Sequence, residues 1–310
     1  MNTDSLNKPF RGELLYRAKL AQFTTWRVGG EAEILYRPAD ADDMACFIAA
    51  NQDKPITTLG AGSNVLIRDG GIKGVVIITA GSMSHISEIG DLIRVEAGVS
   101  CPAFASSCRK KQLAGAEFLS GIPGTIGGAI KMNAGAYGNE IWGMIEKIEV
   151  VDGQGQVKEL SKEQVQYGYR YCNLAEDNWV VAAYMKLEKA GTEELEEIQT
   201  KVKVLQKQRS NTQPLDEYSC GSVFKNPEGD HAARLIDEAG LKGFEIGGAK
   251  VSTKHANFII NTGNASAEDI ETMIKVVQEK VKQKHGIELE TEVKILGEKI
   301  LDKRLQEKGE

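Results

Sequence analysis

Two segments concentrate the residue types with which a backbone can hold a ligand. In Leu59-Gly60-Ala61-Gly62-Ser63-Asn64-Val65-Leu66-Ile67 an apolar run ends in two glycines, a serine and an asparagine. Successive N–H groups in such a turn can form a nest for a pyrophosphate, and the Ser63 hydroxyl and Asn64 amide can add hydrogen bonds. The Rossmann fingerprint is absent, because a third glycine is missing and a strand follows where a helix should. A P-loop is excluded by the lack of Gly-Lys-Ser/Thr. A plain tight turn explains this segment equally well.

The second segment is Ser120-Gly-Ile-Pro-Gly-Thr-Ile-Gly-Gly-Ala-Ile-Lys-Met-Asn-Ala-Gly-Ala-Tyr-Gly138. Each glycine in regular structure costs roughly 0.5–1 kcal/mol of folding free energy. The simplest offsetting gain is a backbone laid against a large flat cofactor. Pro123 stiffens the approach, Asn133 can reach a polar edge, and Tyr137 either stacks or belongs to the core. The candidate cofactor contacts are therefore Gly60, Ala61, Gly62, Ser63 and Asn64, then Ile122, Pro123, Gly124, Gly127, Gly128, Asn133 and Gly135.

The elements that must position these segments begin with a strand at 34–36. Asp40 then caps a helix over 41–51, with acids in its first turn. Strands follow at 55–59, 65–68, 75–79 and 92–97, and a helix at 100–113. Asp152-Gly153 is a hairpin turn between strands 145–151 and 156–160. Ser161-Lys-Glu-Gln164 is a capping box. A strand at 179–187 precedes a charged helix at 192–209, whose Leu195, Ile198, Val202 and Leu205 share one face and link two domains. Beyond it come a loop at 210–227, a helix at 231–239, a strand at 258–261, a helix capped by Ser266 and running to 284, and an alternating strand at 288–296. A charged tail follows Gly297.

Composition excludes several classes. The chain has 310 residues, 41% apolar and 26% charged, as in an ordinary soluble protein of two or three domains. A net charge of −6 argues against a nucleic-acid partner. No run approaches the roughly 20 apolar residues of a membrane span, and Met1–Leu15 has no apolar stretch of the kind a secretory signal needs. Five cysteines with no CxxC pair fit reduced thiols in cytoplasm. Four scattered histidines show no metal-ligand spacing, so no metal is expected.

Gly-Ala-Gly-Ser-Asn64, Gly121-Ile-Pro-Gly-Thr-Ile-Gly-Gly-Ala-Ile-Lys-Met-Asn-Ala-Gly-Ala-Tyr-Gly138, Tyr167-Gly-Tyr-Arg170, Gly221-Ser-Val-Phe-Lys-Asn-Pro227 and Leu289-Glu-Thr-Glu-Val293 occur in that order. Together they closely resemble the UDP-N-acetylenolpyruvoylglucosamine reductase (MurB) family, from about residue 23 to 297. The resemblance implies a mixed α+β and α/β protein. Its two-part FAD-binding region is a PCMH-type flavin scaffold, not Rossmann, with a smaller C-terminal α+β substrate-binding domain. The implied boundaries are an extension at 1–22, FAD-binding lobes at 23–80 and 81–191, a linking helix at 192–211, a substrate domain at 212–297 and a tail at 298–310. It also implies non-covalent FAD, NADPH as hydride donor, and a UDP-sugar whose enolpyruvyl group is reduced to the lactyl ether of UDP-N-acetylmuramate.

The same resemblance assigns roles. Arg170 matches the family's catalytic arginine, and a guanidinium can hold a carboxylate bidentately where lysine cannot. Ser222 matches the proton donor, although a bare hydroxyl is a poor acid and a loop serine commonly bonds its own backbone. Glu292 matches the catalytic glutamate; on a strand it shares a face with Glu290, and its role as orienter or proton source stays open. Tyr169, Lys225, Asn226, Arg209, Gln213 and Asn257 are the expected substrate contacts. Only Pro227-Glu-Gly-Asp230 separates Asn226 from the next helix, as in members lacking a long insertion there.

Two other readings remain. A flavin oxidase on the same scaffold often carries covalent flavin on histidine, but neither glycine segment contains one. A non-catalytic nucleotide-sugar binder would have no need of Arg170, Ser222 and Glu292 together.

Overall fold

The computed structural model describes residues 10–300, which pack as two compact units. The first holds residues 10–15, Leu35–Ala61 and Val76–Arg209. The second holds Tyr16–Ile34, Gly62–Val75 and residues 210–300. The segment read as an N-terminal extension therefore contributes structure: Glu13–Lys19 is a strand. The expectation for Met1–Leu15 lies mainly outside the described residues, as does that for the charged tail.

The first unit is built on a five-stranded sheet in the order Val157–Ser161, Ile145–Val151, Trp179–Lys186, Leu92–Glu96, Ile86–Ile89. Every neighbouring pair in it is antiparallel. Val95, Ile148, Val150 and Ala183 of the sheet join Phe104 of the Cys101–Lys110 helix, Ile130 of the Ile126–Lys131 helix, and Trp142 in one core. A four-stranded sheet has the order Glu13–Lys19, Glu31–Arg37, Ile72–Ile78, Ile56–Leu59. Its first-unit part is backed by the Ala41–Ala49 helix, where Phe47 stacks on Tyr36 at 3.8 Å.

Helix starts follow the capping signals. Asp40 accepts from the Asp43 N–H at 2.9 Å, and the Ser161–Gln164 capping box closes a single 3-10 turn. The Thr192–Thr212 helix forms as expected, but only Leu195 of its apolar stripe is fully buried. The hairpin turn at Asp152 is tied by its own carboxylate, which accepts from the Gln154 and Gln156 N–H groups, both at 2.9 Å.

The second unit packs the helices Ala232–Glu238 and Ala267–His285 with a three-stranded antiparallel sheet, Glu245–Ile246, Ala249–Val251, Ile259–Asn261. Its core joins Trp26, Leu66, Phe224, Leu235, Ile274, Leu289 and Val293. Trp26 donates from its indole to the Ile259 carbonyl at 2.7 Å. The long helix begins with a reciprocal capping box between Ser266 and Asp269. Asp69 accepts from the Ala267 and Glu268 N–H groups at 3.0 Å each, filling two more orphan donors. The 288–296 alternation forms regular strand only at Lys294–Leu296, which pairs in parallel with Val65–Ile67. Residues 289–292 instead lie against the 223–225 ribbon, with a lone bridge between Phe224 and Thr291.

Candidate active site

In the first unit the two glycine segments meet. A Cβ on Gly60 would overlap Thr125 Oγ1, so glycine at 60 is what lets the first segment approach the Thr125 side chain this closely. Thr125 is the N-cap of the Ile126–Lys131 helix, its hydroxyl accepting from Gly128 N–H at 3.5 Å. Among the described residues, the N–H groups of Gly60, Ala61, Gly124 and Thr125 have no acceptor within the protein. Ala61, Pro123 and Gly128 are exposed and Gly60, Gly124 and Gly127 half-buried. Four unpaired donors on two touching glycine turns fit the diphosphate of a dinucleotide cofactor such as FAD. Thr125 was missed from the sequence; the signal was a threonine ahead of an apolar helical run.

Asn133 has another task. It is 0% exposed; its amide donates to Glu140 Oε2 at 2.8 Å and to Gly168 O at 2.9 Å, and its carbonyl accepts from Trp142 N–H. Both amide hydrogens are thus spent inside the fold, and the polar-edge contact expected of this side chain is replaced by a brace. What it braces is the hairpin Tyr167–Gly168 / Tyr171–Cys172, where Tyr167 also stacks on Trp142 at 5.3 Å. The turn of that hairpin is Tyr169-Arg170. Arg170 has φ +55°, a left-handed conformation costing a non-glycine residue roughly 1–2 kcal/mol. Its guanidinium donates to Gly135 O at 3.1 Å and lies 5.0 Å from the Tyr169 ring. A strained arginine is thereby fixed against the glycine segment, beside a half-exposed tyrosine.

Arg209 serves the same segment. It donates to Gly121 O and bonds Tyr137; burial pushes its guanidinium below the ordinary arginine value, with Tyr137 opposing. Gln206, one turn earlier, donates to Ser120 Oγ at 2.9 Å. This expected substrate contact is thus a side chain already anchored on the glycine segment.

In the second unit, Gly62 has φ +62° and Cβ space blocked by Phe23 O. Asn64 follows two residues on. Its side-chain amide donates to Glu292 O at 3.1 Å, and its carbonyl accepts from Lys294 N–H at 3.1 Å. The residue read as a cofactor contact also fixes the chain that carries Glu292. From the other side, Glu292 N–H donates to Val223 O at 2.8 Å. Ser222 and Glu292 are both half-buried on adjacent segments. Cys220, two residues before Ser222, has its thiol pushed well above its ordinary value by burial and by the Glu292 charge.

Lys225 bonds Glu290 twice, through its ammonium at 2.6 Å and its N–H at 2.9 Å. Asn226 accepts from Ala232 N–H at 3.1 Å and so caps the following helix. Gln213 is half-buried in the loop after the linking helix. Asn257 departs from the expectation of a substrate contact. It is 3% exposed, and its side chain pairs with both backbone groups of Phe224. Of the candidates, the second unit brings Asn64, Ser222, Lys225, Asn257 and Glu292 onto one laced group of segments, and the first brings Gly60, the Ile122–Gly135 stretch, Arg170 and Arg209 together. Among the described residues no cluster of metal-ligating side chains occurs.

Comparisons with known proteins match two stretches of the chain. Residues 32–161 match the FAD binding domain family, and residues 213–296 match the C-terminal domain of UDP-N-acetylenolpyruvoylglucosamine reductase. The enzyme of that name from Alkalilimnicola ehrlichii is 47% identical over 288 residues, covering 93% of this chain and 96% of its own. The chain belongs to the UDP-N-acetylenolpyruvoylglucosamine reductase family. A Legionella pneumophila member is 46% identical over 291 residues, with 93% and 94% covered. The crystal structure of the Thermus caldophilus reductase superposes with a TM-score of 0.79 at 33% identity, covering 92% of this chain and 98% of that one. The family scaffold is thus an FAD-binding region followed by the reductase's own C-terminal domain, as the ordered motifs implied.

Proposed function

We propose that this chain is an FAD-dependent oxidoreductase that reduces UDP-N-acetylglucosamine enolpyruvate to UDP-N-acetylmuramate, a step of peptidoglycan precursor synthesis, with NADPH as hydride donor. The observation that carries the reading is 44–47% identity to reductases of that name across 93% of the chain. The touching glycine turns with unpaired amides support the cofactor. Gly60, Ala61 and the Ile122–Gly128 stretch would hold its diphosphate.

FAD, when bound, would supply the hydride-transfer chemistry between NADPH and the methylene carbon of the enolpyruvyl group. As that hydride arrives, negative charge grows on the substrate carboxylate and its neighbouring carbon. Arg170, held in place by Gly135 O, would stabilise the carboxylate with parallel N–H donors. Ser222 would give its proton to that carbon and regain one from solvent. Glu292, fixed by Asn64 and Val223, would either orient the substrate carboxylate through a shared proton or water or help to protonate the enolate. Lys225 and Asn226 would meet the UDP-sugar, as would Tyr169, Arg209 and Gln213.

The reading carries with it a cytoplasmic site of action, where NADPH and nucleotide sugars are kept. In support, all five cysteines are unpaired and, among the described residues, no helix is long and apolar enough to cross a membrane.

Mass spectrometry of the sugar product tests the reaction. Incubation with NADPH in deuterated water should add two hydrogens to the substrate, with deuterium at the carbon bearing the carboxylate. A product without solvent deuterium there would contradict the protonation step.

A further inference from the structure

We infer that Asn257 is a positioning residue for Ser222, acting through the backbone of Val223 and Phe224; this rests on the reading of Ser222 as proton donor. The Asn257 amide pairs with both backbone groups of one residue. Its Nδ2 donates to Phe224 O at 2.8 Å, and its Oδ1 accepts from Phe224 N–H at 3.0 Å. Its own carbonyl accepts from Val223 N–H at 2.9 Å. One buried residue therefore bonds each of the three peptide groups that directly follow Ser222.

The opposite edge of the ribbon is held as well. Val223 O accepts from Glu292 N–H at 2.8 Å, and Lys225 N–H donates to Glu290 O at 2.9 Å. Phe224 is 1% exposed, and the Asn257 side chain partners both its N–H and its C=O. A buried backbone group left without its partner there is unfavourable. Asparagine alone has the shape for this. Aspartate presents two acceptors and leaves Phe224 O unpaired, glutamine is one methylene too long, and serine is too short for both bonds. Upstream, Gly221 sits at φ +80° and gives the chain its approach to Ser222. The Ser222 hydroxyl thus hangs from a ribbon whose direction is set by Asn257 on one side and the Glu292 segment on the other.

The test uses the FAD-loaded enzyme in stopped flow, with flavin reduction by NADPH and reoxidation by the enolpyruvyl UDP-sugar followed separately. Asn257→Ser should slow reoxidation about 10- to 100-fold, as a misplacement near 1 Å does. Flavin reduction and the substrate dissociation constant should stay within about twofold of wild type. In a Ser222→Ala background the same substitution should cost less than about twofold more, because its route of action is gone. Asn257→Asp, which keeps volume and one of the two side-chain bonds, serves if the serine variant fails to fold. In the unmodified protein the Phe224 amide should be among the slowest to exchange with deuterium within residues 210–227.

Three results overturn the inference: additive losses in the double variant, a loss confined to substrate affinity, or a fast-exchanging Phe224 amide. If Ser222→Ala alone leaves reoxidation intact, the donor assignment itself falls, which is a separate failure.

Discussion

The side-chain amide of Asn64 donates to the backbone carbonyl of Glu292 across 3.1 Å. An asparagine two residues past a left-handed glycine thus holds the segment that carries a candidate catalytic carboxylate. Removing the amide should loosen that segment. Asn64→Ala is expected to cost about 1 kcal/mol in urea unfolding, the worth of one partly buried hydrogen bond. It should also slow flavin reoxidation by substrate more than flavin reduction by NADPH. Stopped-flow traces of the two half-reactions check the second expectation.

Gly60→Ala should cripple cofactor binding. The added methyl would overlap the hydroxyl of Thr125, which is buried and caps the Ile126–Lys131 helix. Either the cap or the contact between the glycine turns must give way. The dissociation constant for FAD, read from flavin fluorescence quenching on titration into apoprotein, should rise at least about tenfold, or 1.4 kcal/mol. An unchanged constant would mean that the turns do not have to touch.

Arg170→Lys keeps a positive charge and loses the paired planar donors. Reoxidation by substrate should fall roughly 100-fold while reduction by NADPH changes less than about twofold. Equal loss in both half-reactions would remove the carboxylate-holding role.

The acid stability of the second unit should depend on Glu271, which is 5% exposed. The Arg68 guanidinium bonded to it holds its carboxyl down at about 2, with Lys275 adding to the effect and burial opposing it. A depressed carboxylate contributes stability that is fully present above its unfolded pKa of about 4.3. That contribution is lost as pH falls toward about 2. Glu271→Gln should therefore unfold more easily at pH 7, by roughly 2 kcal/mol. The gap from wild type should close between about pH 4 and 2. Urea midpoints across that range decide it.

What the sequence disclosed and what it hid divide along physical lines. Helix starts were legible because a cap is local: Asp40, Ser161 and Ser266 each bond an amide three residues on. The glycine turns were legible because that much backbone freedom is costly and concentrated. The Glu13–Lys19 strand escaped notice because its residues are nearly all exposed and show no alternation. The make-up of the second unit was equally hidden. Trp26 reaches Ile259 and Arg68 reaches Glu271, contacts between residues more than 200 positions apart that no local pattern announces. The alternation at 288–296 was real, but its first half pairs with an irregular ribbon instead of a strand. A polar residue beside a motif looks available in sequence, which makes Asn133 and Asn257 expected ligand contacts. Burial, which sequence does not show, turns both into braces.

The most direct test of the account is an anaerobic absorbance spectrum of the purified protein with sequential additions. NADPH should bleach the flavin bands near ~450 nm, and the enolpyruvyl UDP-sugar should then restore them. A flavin that bleaches and does not return on adding the sugar would contradict the proposed substrate. A protein that takes up no flavin even on reconstitution would contradict the reading of the glycine turns as its cradle.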